Sequence, residues 1–267
     1  MSANFENKVV IITGSSMGIG NQMAWQLAQQ GAKVVLNGRN PDRLEKAGQA
    51  LKEKGFTVLT IAGDVSNEED CQQLIDQTIK AFGKIDVLIN NAGVSTEGQV
   101  TELEGSVFKK IMEINYLGSV YPTQSALPHL KISKGSVIFI SSVAGIRGLP
   151  NYSVYSSSKM ALTALAEALR IELSEDGVHV GIAYVGFTEN HPEKTIYDAQ
   201  GQKIPQPKRD LIKPEPVEKV AARIINMIER KTFKKVFTPL GKLNSVLNKF
   251  TPGLVHHVLK RNFTKQR

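Results

Sequence analysis

The chain has 267 residues, 41% of them hydrophobic, enough to bury the core of one large α/β domain rather than two small ones. A single cysteine, Cys71, excludes an internal disulfide framework and makes a reducing cytoplasm the expected compartment. The net charge of +8 belongs to the end of the chain: nine Lys and Arg and no Asp or Glu lie from Lys231 onward, against 24 basic and 25 acidic residues in 1–230, which argues against a nucleic-acid-binding face on the core.

The opening stretch MSANFENKVVIITG has no charged region followed by an apolar one, so no export signal is expected. No apolar run approaches the roughly 18 residues a membrane-spanning helix needs. KVVIIT (8–13) reads as the first strand and runs into TGSSMGIG, which opens a helix over 18–30. Gly14, Gly18 and Gly20 stand at that strand-to-helix turn, where a phosphate can meet the free N–H groups of a helix N-terminus. Their spacing is GxxxGxG, weak alone and strengthened by its position between strand and helix.

The second strand, KVVLN (33–37), ends in Asn37-Gly38-Arg39-Asn40. A site for NAD would carry an acid here to hold the ribose 2′-hydroxyl, yet no carboxylate appears before Asp42, beyond Pro41. A glycine followed by an arginine leaves room for a 2′-phosphate and supplies a planar donor, so NADP is the expected dinucleotide. After a helix over 42–54, the strand TVLTIA (57–62) ends in GDV, with Asp64 and Val65. Helix 67–82 leads to IDVLIN (85–90) and NNAG (90–93), helix 104–130 contains Asn115, and SVIFIS (136–141) ends at the adjacent Ser141 and Ser142.

A helix over 155–175 begins YSSSK, then carries Leu162, Leu165, Ala166, Leu169 and Leu173 at helical spacing. VHVGIAYV (178–185), a helix over 215–230 and a weaker strand FKKVFT (233–238) complete the domain. Nearly continuous Val and Ile in the strands, with strict strand–helix alternation, predict a doubly wound parallel sheet of about seven strands, a Rossmann-type single domain over 1–239. The polar stretch 187–214 is too long for an ordinary connection and is expected to be a mobile lid or a disordered insert.

TGSSMGIG, GDV, NNAG, the Asn115 of EINYLGS, ISSVAG (140–145) and YSSSK stand in an order and at intervals that resemble the short-chain dehydrogenase/reductase family, over about residues 7–186. The resemblance implies an oxidoreductase acting on a small-molecule carbonyl or alcohol, with Gly14, Ser16, Gly18, Ile19, Gly20, Arg39, Asp64, Val65, Asn91, Ala92 and Gly93 lining an NADP cleft. It implies a catalytic set of Asn115, Ser142, Tyr155 and Lys159. A carbonyl that receives a hydride also needs a proton donor, and the cofactor does not supply one. Tyr155 would be that donor. A free tyrosine has a pKa near 10, and Lys159, one helical turn on, would lower it while also binding the nicotinamide ribose.

Ser142 lies 13 residues before Tyr155, the family's spacing, and strand alternation turns Ser141 to the opposite face. Asn115 is expected to hold water linking Lys159 to solvent. Asp64 suits either the adenine or the cap of the next helix. After 185 the pattern departs from the family. Val185-Gly186 replaces the usual Pro-Gly and Asn190 occupies the usual threonine position, leaving the backbone of Gly186 and Thr188 to meet the nicotinamide.

In the tail, 240–267, Leu240, Leu243, Val246, Leu247 and Phe250, then Leu254, Val255, Val258 and Leu259, form two amphipathic stretches separated by TPG. They suit an anionic membrane surface, or packing on the domain or a partner subunit. A homodimer or homotetramer is implied by the resemblance, with helices 104–130 and 155–175 at the interface. A 3-oxoacyl-thioester reductase and a dinucleotide sensor without turnover are the alternative functions.

Overall fold

The computed structural model describes residues 5–206 and 213–265. Seven parallel strands form one sheet in the order β3-β2-β1-β4-β5-β6-β9: β1 (Val9–Ile12), β2 (Lys33–Gly38), β3 (Val58–Ala62), β4 (Val87–Asn90), β5 (Ser136–Ser142), β6 (His179–Val185) and β9 (Lys234–Val236). Every residue of β1 is fully buried, because alternate side chains enter two separate layers. Val10 and Ile12 join Met23 and Leu27 on one side, under α1 (Gly18–Gln29), α2 (Pro41–Lys52) and α7 (Val217–Glu229). Val9 and Ile11 join Leu74, Leu130, Phe139 and Leu162 on the other, under α3 (Glu68–Phe82), α5 (Gly118–Ser133) and α6 (Ser153–Glu172). The strand order reverses between β1 and β4, the crevice where ligands of such sheets bind.

Local chemistry fixes the helix ends that face this crevice. Asn40 caps α2 by accepting from the Arg43 N–H at 2.8 Å, with Pro41 in the first turn. Asn67 caps α3 through the Asp70 N–H at 3.1 Å, and Gly83 ends that helix at φ 75° on the far side of the sheet from the crevice, before β4.

The structure differs from the sequence reading in two places. The single helix expected over 104–130 is α4 (Gly105–Met112), a π-helical turn (Glu113–Leu117) and α5. The turn carries Asn115 inward, and Gly118 directly after it lies so close to Val65 that a Cβ would come within 2.7 Å of Val65 Cγ2. The stretch 187–214 contains an antiparallel hairpin, β7 (Thr195–Tyr197) and β8 (Lys203–Pro205), while 207–212 lie outside the described residues. The hairpin is seated by Tyr197, which packs with Leu103, Val107, Ile111 and Val154 and donates its N–H to the Ser95 carbonyl at 2.9 Å. The two amphipathic tail stretches are helices, α8 (Pro239–Phe250) and α9 (Pro252–Lys265).

Candidate active site

At the mouth of the crevice the glycine turn and the NNAG segment are clipped together. Thr13 Oγ1 accepts from the N–H groups of Asn91 at 3.0 Å and Ala92 at 3.1 Å, and Asn91 Nδ2 donates to the carbonyls of Thr13 at 2.9 Å and Gly14 at 3.0 Å. Gly14 has φ +62°, and a Cβ on it would stand 2.8 Å from Ala92 Cα. Gly20 is equally confined, with Asn91 Nδ2 and the Gly14 carbonyl each 2.6 Å from where its Cβ would be.

Gly18 is the opposite case: φ is +59° and nothing lies within 4 Å of a Cβ placed there. The α1 N-cap, Met17, makes no side-chain cap, and the first turn has no acidic residue. Unused N–H groups, a positive dipole end and open space at Gly18 fit a dinucleotide's diphosphate. Ser16 flanks this opening beside Gly38, and the half-buried Ile19 packs down onto the core.

At the end of β2, the buried Asn37 donates from Nδ2 to the carbonyls of Ile61 at 3.2 Å and Gly63 at 3.3 Å, which joins the ends of β2 and β3. Arg39, its side chain 42% exposed, pairs with Asp64 at 3.5 Å. Asp64 is held by Ser66, whose N–H donates at 3.0 Å and hydroxyl at 2.7 Å. The cap of α3 is Asn67, so Asp64 faces Arg39 and the crevice instead. Val65 is buried beneath Gly118.

Of the expected catalytic set, Asn115 and Lys159 meet at Gly93, Ser142 ends β5, and Tyr155 lies one turn before Lys159 on α6. Ser141 is buried and donates to the Lys159 carbonyl at 3.0 Å, whereas Ser142 is half-buried and accepts from the Ala144 N–H at 3.2 Å. Alternation along β5 thus makes Ser141 a fastener for α6 and leaves Ser142 at the crevice. Tyr155 is half-buried in the first turn of α6, with its carbonyl accepting from Ser158 Oγ at 2.8 Å.

One turn further on, the buried Lys159 Nζ donates to the Ile140 carbonyl at 3.0 Å. Burial, and secondarily the positive charge of Lys194, lowers the Lys159 pKa from 10.5 to about 8. Asn115 Nδ2 donates to the Val94 carbonyl at 2.9 Å and to Ser158 Oγ at 2.9 Å, and its Oδ1 accepts from the Val94 N–H at 2.8 Å. Its carboxamide therefore locks the segment after NNAG to α6. Gly93 is where these groups meet: a Cβ on it would lie 3.1 Å from Lys159 Nζ and 3.2 Å from Asn115 Oδ1.

Beyond β6, Val185 pairs with Ser142 across the sheet, and Gly186 packs against Thr238 at the start of α8. Thr188 Oγ1 donates to the Gly186 carbonyl at 3.2 Å and Thr188 bridges to Glu215, which Arg223 pairs at 2.8 Å. Asn190 is exposed. Between them and the hairpin, Glu193 reaches α2 and pairs with Arg43 at 2.7 Å.

Four supporting groups escaped the sequence reading: Thr13, Ser158, the Ile140 carbonyl and Lys194. Thr13 had a signal, a hydroxyl placed directly before the first glycine. The others act across the tertiary structure and left none. Among the described residues no group of three or more His, Cys, Asp or Glu is placed to hold a metal ion.

A family model described as short chain dehydrogenase matches residues 8–201. An Arabidopsis thaliana protein named 11-beta-hydroxysteroid dehydrogenase-like 2 is 47% identical over 191 residues, 69% of this chain and 61% of that protein. The Arabidopsis thaliana 11-beta-hydroxysteroid dehydrogenase 1A is 38% identical over 238 residues, covering 86% and 68%. The chain spans 53–68% of the length of the curated relatives it matches.

Among solved structures, a short chain dehydrogenase/reductase from Burkholderia phymatum in complex with NAD superposes with a TM-score of 0.82 at 25% identity, over 94% of this chain and 96% of that one. An alcohol dehydrogenase from Thermococcus sibiricus complexed with 5-hydroxy-NADP gives 0.76 at 27% identity, over 87% and 96%. With the sheet order, the glycine turn and the crevice all in agreement, the chain belongs to the short-chain dehydrogenase/reductase family of nicotinamide-dinucleotide-dependent oxidoreductases.

Proposed function

We propose that the chain interconverts a carbonyl and a primary or secondary alcohol with NADP as its dinucleotide, on an apolar, lipid-like substrate. The observation that carries this reading is the buried Lys159 ammonium, fixed one helical turn from Tyr155 and beside Asn115 and Gly93 at the strand ends. When bound, a reduced nicotinamide supplies the hydride.

The chain's own residues supply the rest. The Tyr155 hydroxyl gives its proton to the substrate oxygen, and the Lys159 charge favours the phenolate left behind. Ser142 Oγ donates to the same oxygen as negative charge builds there. Asn115 positions α6 against the NNAG segment and keeps the water path to Lys159 in register. Gly14, Gly18 and Gly20 with the α1 N-terminus receive the diphosphate, and Arg39 takes the 2′-phosphate, for which its exchangeable pairing with Asp64 leaves it available. Asn91, Ala92, Gly93, Gly186 and Thr188 line the nicotinamide end.

The names of the relatives support an alicyclic, apolar substrate, with the described part of 187–214, which carries the β7–β8 hairpin, as the lid over it. We also propose a homodimer or homotetramer through the exposed faces of α4–α5 and α6, where Ile132, Met160 and Ile171 stand out of the core. The test is an NADPH-oxidation screen across steroid ketones, alicyclic ketones, aldehydes, quinones and 3-oxoacyl thioesters. Turnover on the alicyclic ketones is the expected result. Turnover confined to thioesters would contradict the substrate class, and none on any carbonyl would contradict an enzyme.

A further inference from the structure

The two tail helices are tied to the body by side-chain hydrogen bonds around Arg147, which donates to the Asn248 carboxamide oxygen and to the Pro252 carbonyl, while Asn248 donates to the Ile146 carbonyl at 3.3 Å. That contact and the buried Gly241 turn one side of α8 inward. The other side is apolar and open. Among the described residues, six of the ten large hydrophobic side chains that stand exposed lie on this helix pair: Leu240, Leu243, Val246 and Phe250 on α8, Leu254 and Val258 on α9. The four on α8 follow one another at steps of three, three and four residues, a single stripe of helix surface, with Leu240 67% and Phe250 73% exposed.

Lys242 and Lys249 edge the stripe, Lys260 and Arg261 stand exposed on α9, and no Asp or Glu occurs from Lys231 to the end of the chain. A two-fold contact with a second copy would set this acid-free basic face against itself, with no carboxylate to pair its lysines. An anionic bilayer matches both properties, since its acyl boundary takes the stripe and its headgroups take the lysines. We propose that α8 and α9 form an interfacial docking surface for anionic lipid bilayers. The helices lie on the surface rather than across it, and no described helix is long and apolar enough to cross a membrane. The same α9 walls an open cavity of about 510 Å³ lined on its other side by Leu149 and Pro150 and by Ser153 and Ser157 of α6, so docking holds the bilayer beside the helix that carries Tyr155.

The test uses the full chain and sedimentation with two kinds of vesicle: phosphatidylcholine alone, and phosphatidylcholine with about a third phosphatidylserine. Binding to the anionic vesicles is expected to be at least about tenfold stronger, and to weaken by about tenfold in Leu243→Ser/Phe250→Ser and, separately, in Lys242→Glu/Lys249→Glu. All four side chains are exposed, so both variants keep the parent's thermal melting profile. Equal binding to both vesicles, no binding, or variants that bind like the parent would overturn the proposal. So would a parent dimer that Leu243→Ser/Phe250→Ser converts to monomer in size-exclusion chromatography, since the face would then belong to a second copy.

Discussion

The Lys159 ammonium donates to the Ile140 carbonyl at 3.0 Å, a bond that joins the second turn of α6 to β5 and leaves the charge buried, with no carboxylate paired to it among the described residues. That arrangement predicts a pH signature. A lysine whose pKa falls from 10.5 to about 8 on folding costs stability wherever it is charged in both states. The penalty is complete below about pH 8 and disappears as pH climbs toward 10.5. Thermal melts of the parent and Lys159→Met across that window should therefore show the difference moving steadily in the parent's favour with rising pH. A difference that stays flat would mean the group is not desolvated.

Arg39 meets Asp64 at 3.5 Å where an NAD site would present an acid of its own. NADPH is expected to bind at least about tenfold more tightly than NADH. Arg39→Glu should reverse the order by repelling the 2′-phosphate and offering a partner to the 2′-hydroxyl. Isothermal titration with both cofactors decides it, and equal affinities for the parent would contradict the assignment.

Gly18 and Gly20 are two residues apart and predict opposite failures. A valine at Gly20 must displace Asn91 and the Gly14 backbone, so Gly20→Val should lower stability by about 1–3 kcal/mol. Gly18→Ala meets no atom within 4 Å and carries only the cost of a positive φ, about 1–2 kcal/mol. Its methyl group enters the space assigned to the diphosphate, so NADPH affinity should fall by far more than stability does. Melting curves with and without cofactor separate the two.

The adjacent serines of β5 divide in the same way. Ser142→Ala should reduce kcat by about a hundredfold or more, as loss of one donor to a developing oxyanion does, with a stability loss of at most about 1 kcal/mol from the Ala144 N–H it leaves unpaired. Ser141→Ala leaves the Lys159 carbonyl without its 3.0 Å donor and should instead cost about 1 kcal/mol of stability, seen in denaturant titrations.

Most strands of the main sheet were legible because they are apolar runs rich in Val and Ile bounded by polar turns, and burial on both faces leaves such runs no other use, whereas β9, Lys-Lys-Val with no buried residue, gave only a weak signal. Ser142 was separable from Ser141 because a strand's period of two sets them on opposite faces and the family's 13-residue spacing to Tyr155 picks one of them. The break at Glu113–Leu117 was not legible: it exists because Asn115 bonds both backbone groups of Val94, 21 residues away, and because Gly118 must approach Val65. The three-residue strands of the β7–β8 hairpin are too short and too polar to show a period. Likewise, nothing local announces that Lys194 bears on Lys159 or that Glu193 reaches Arg43, since each pair forms only once the chain has closed over the crevice.

The account turns on a tyrosine hydroxyl handing its proton to a substrate oxygen beside a buried ammonium. Turnover of NADPH by Tyr155→Phe, measured with cofactor binding on the same sample, addresses that step alone. Turnover is expected to fall by about a thousandfold or more while the NADPH Kd stays within about threefold of the parent. Turnover near the parent rate, with binding intact, would contradict it.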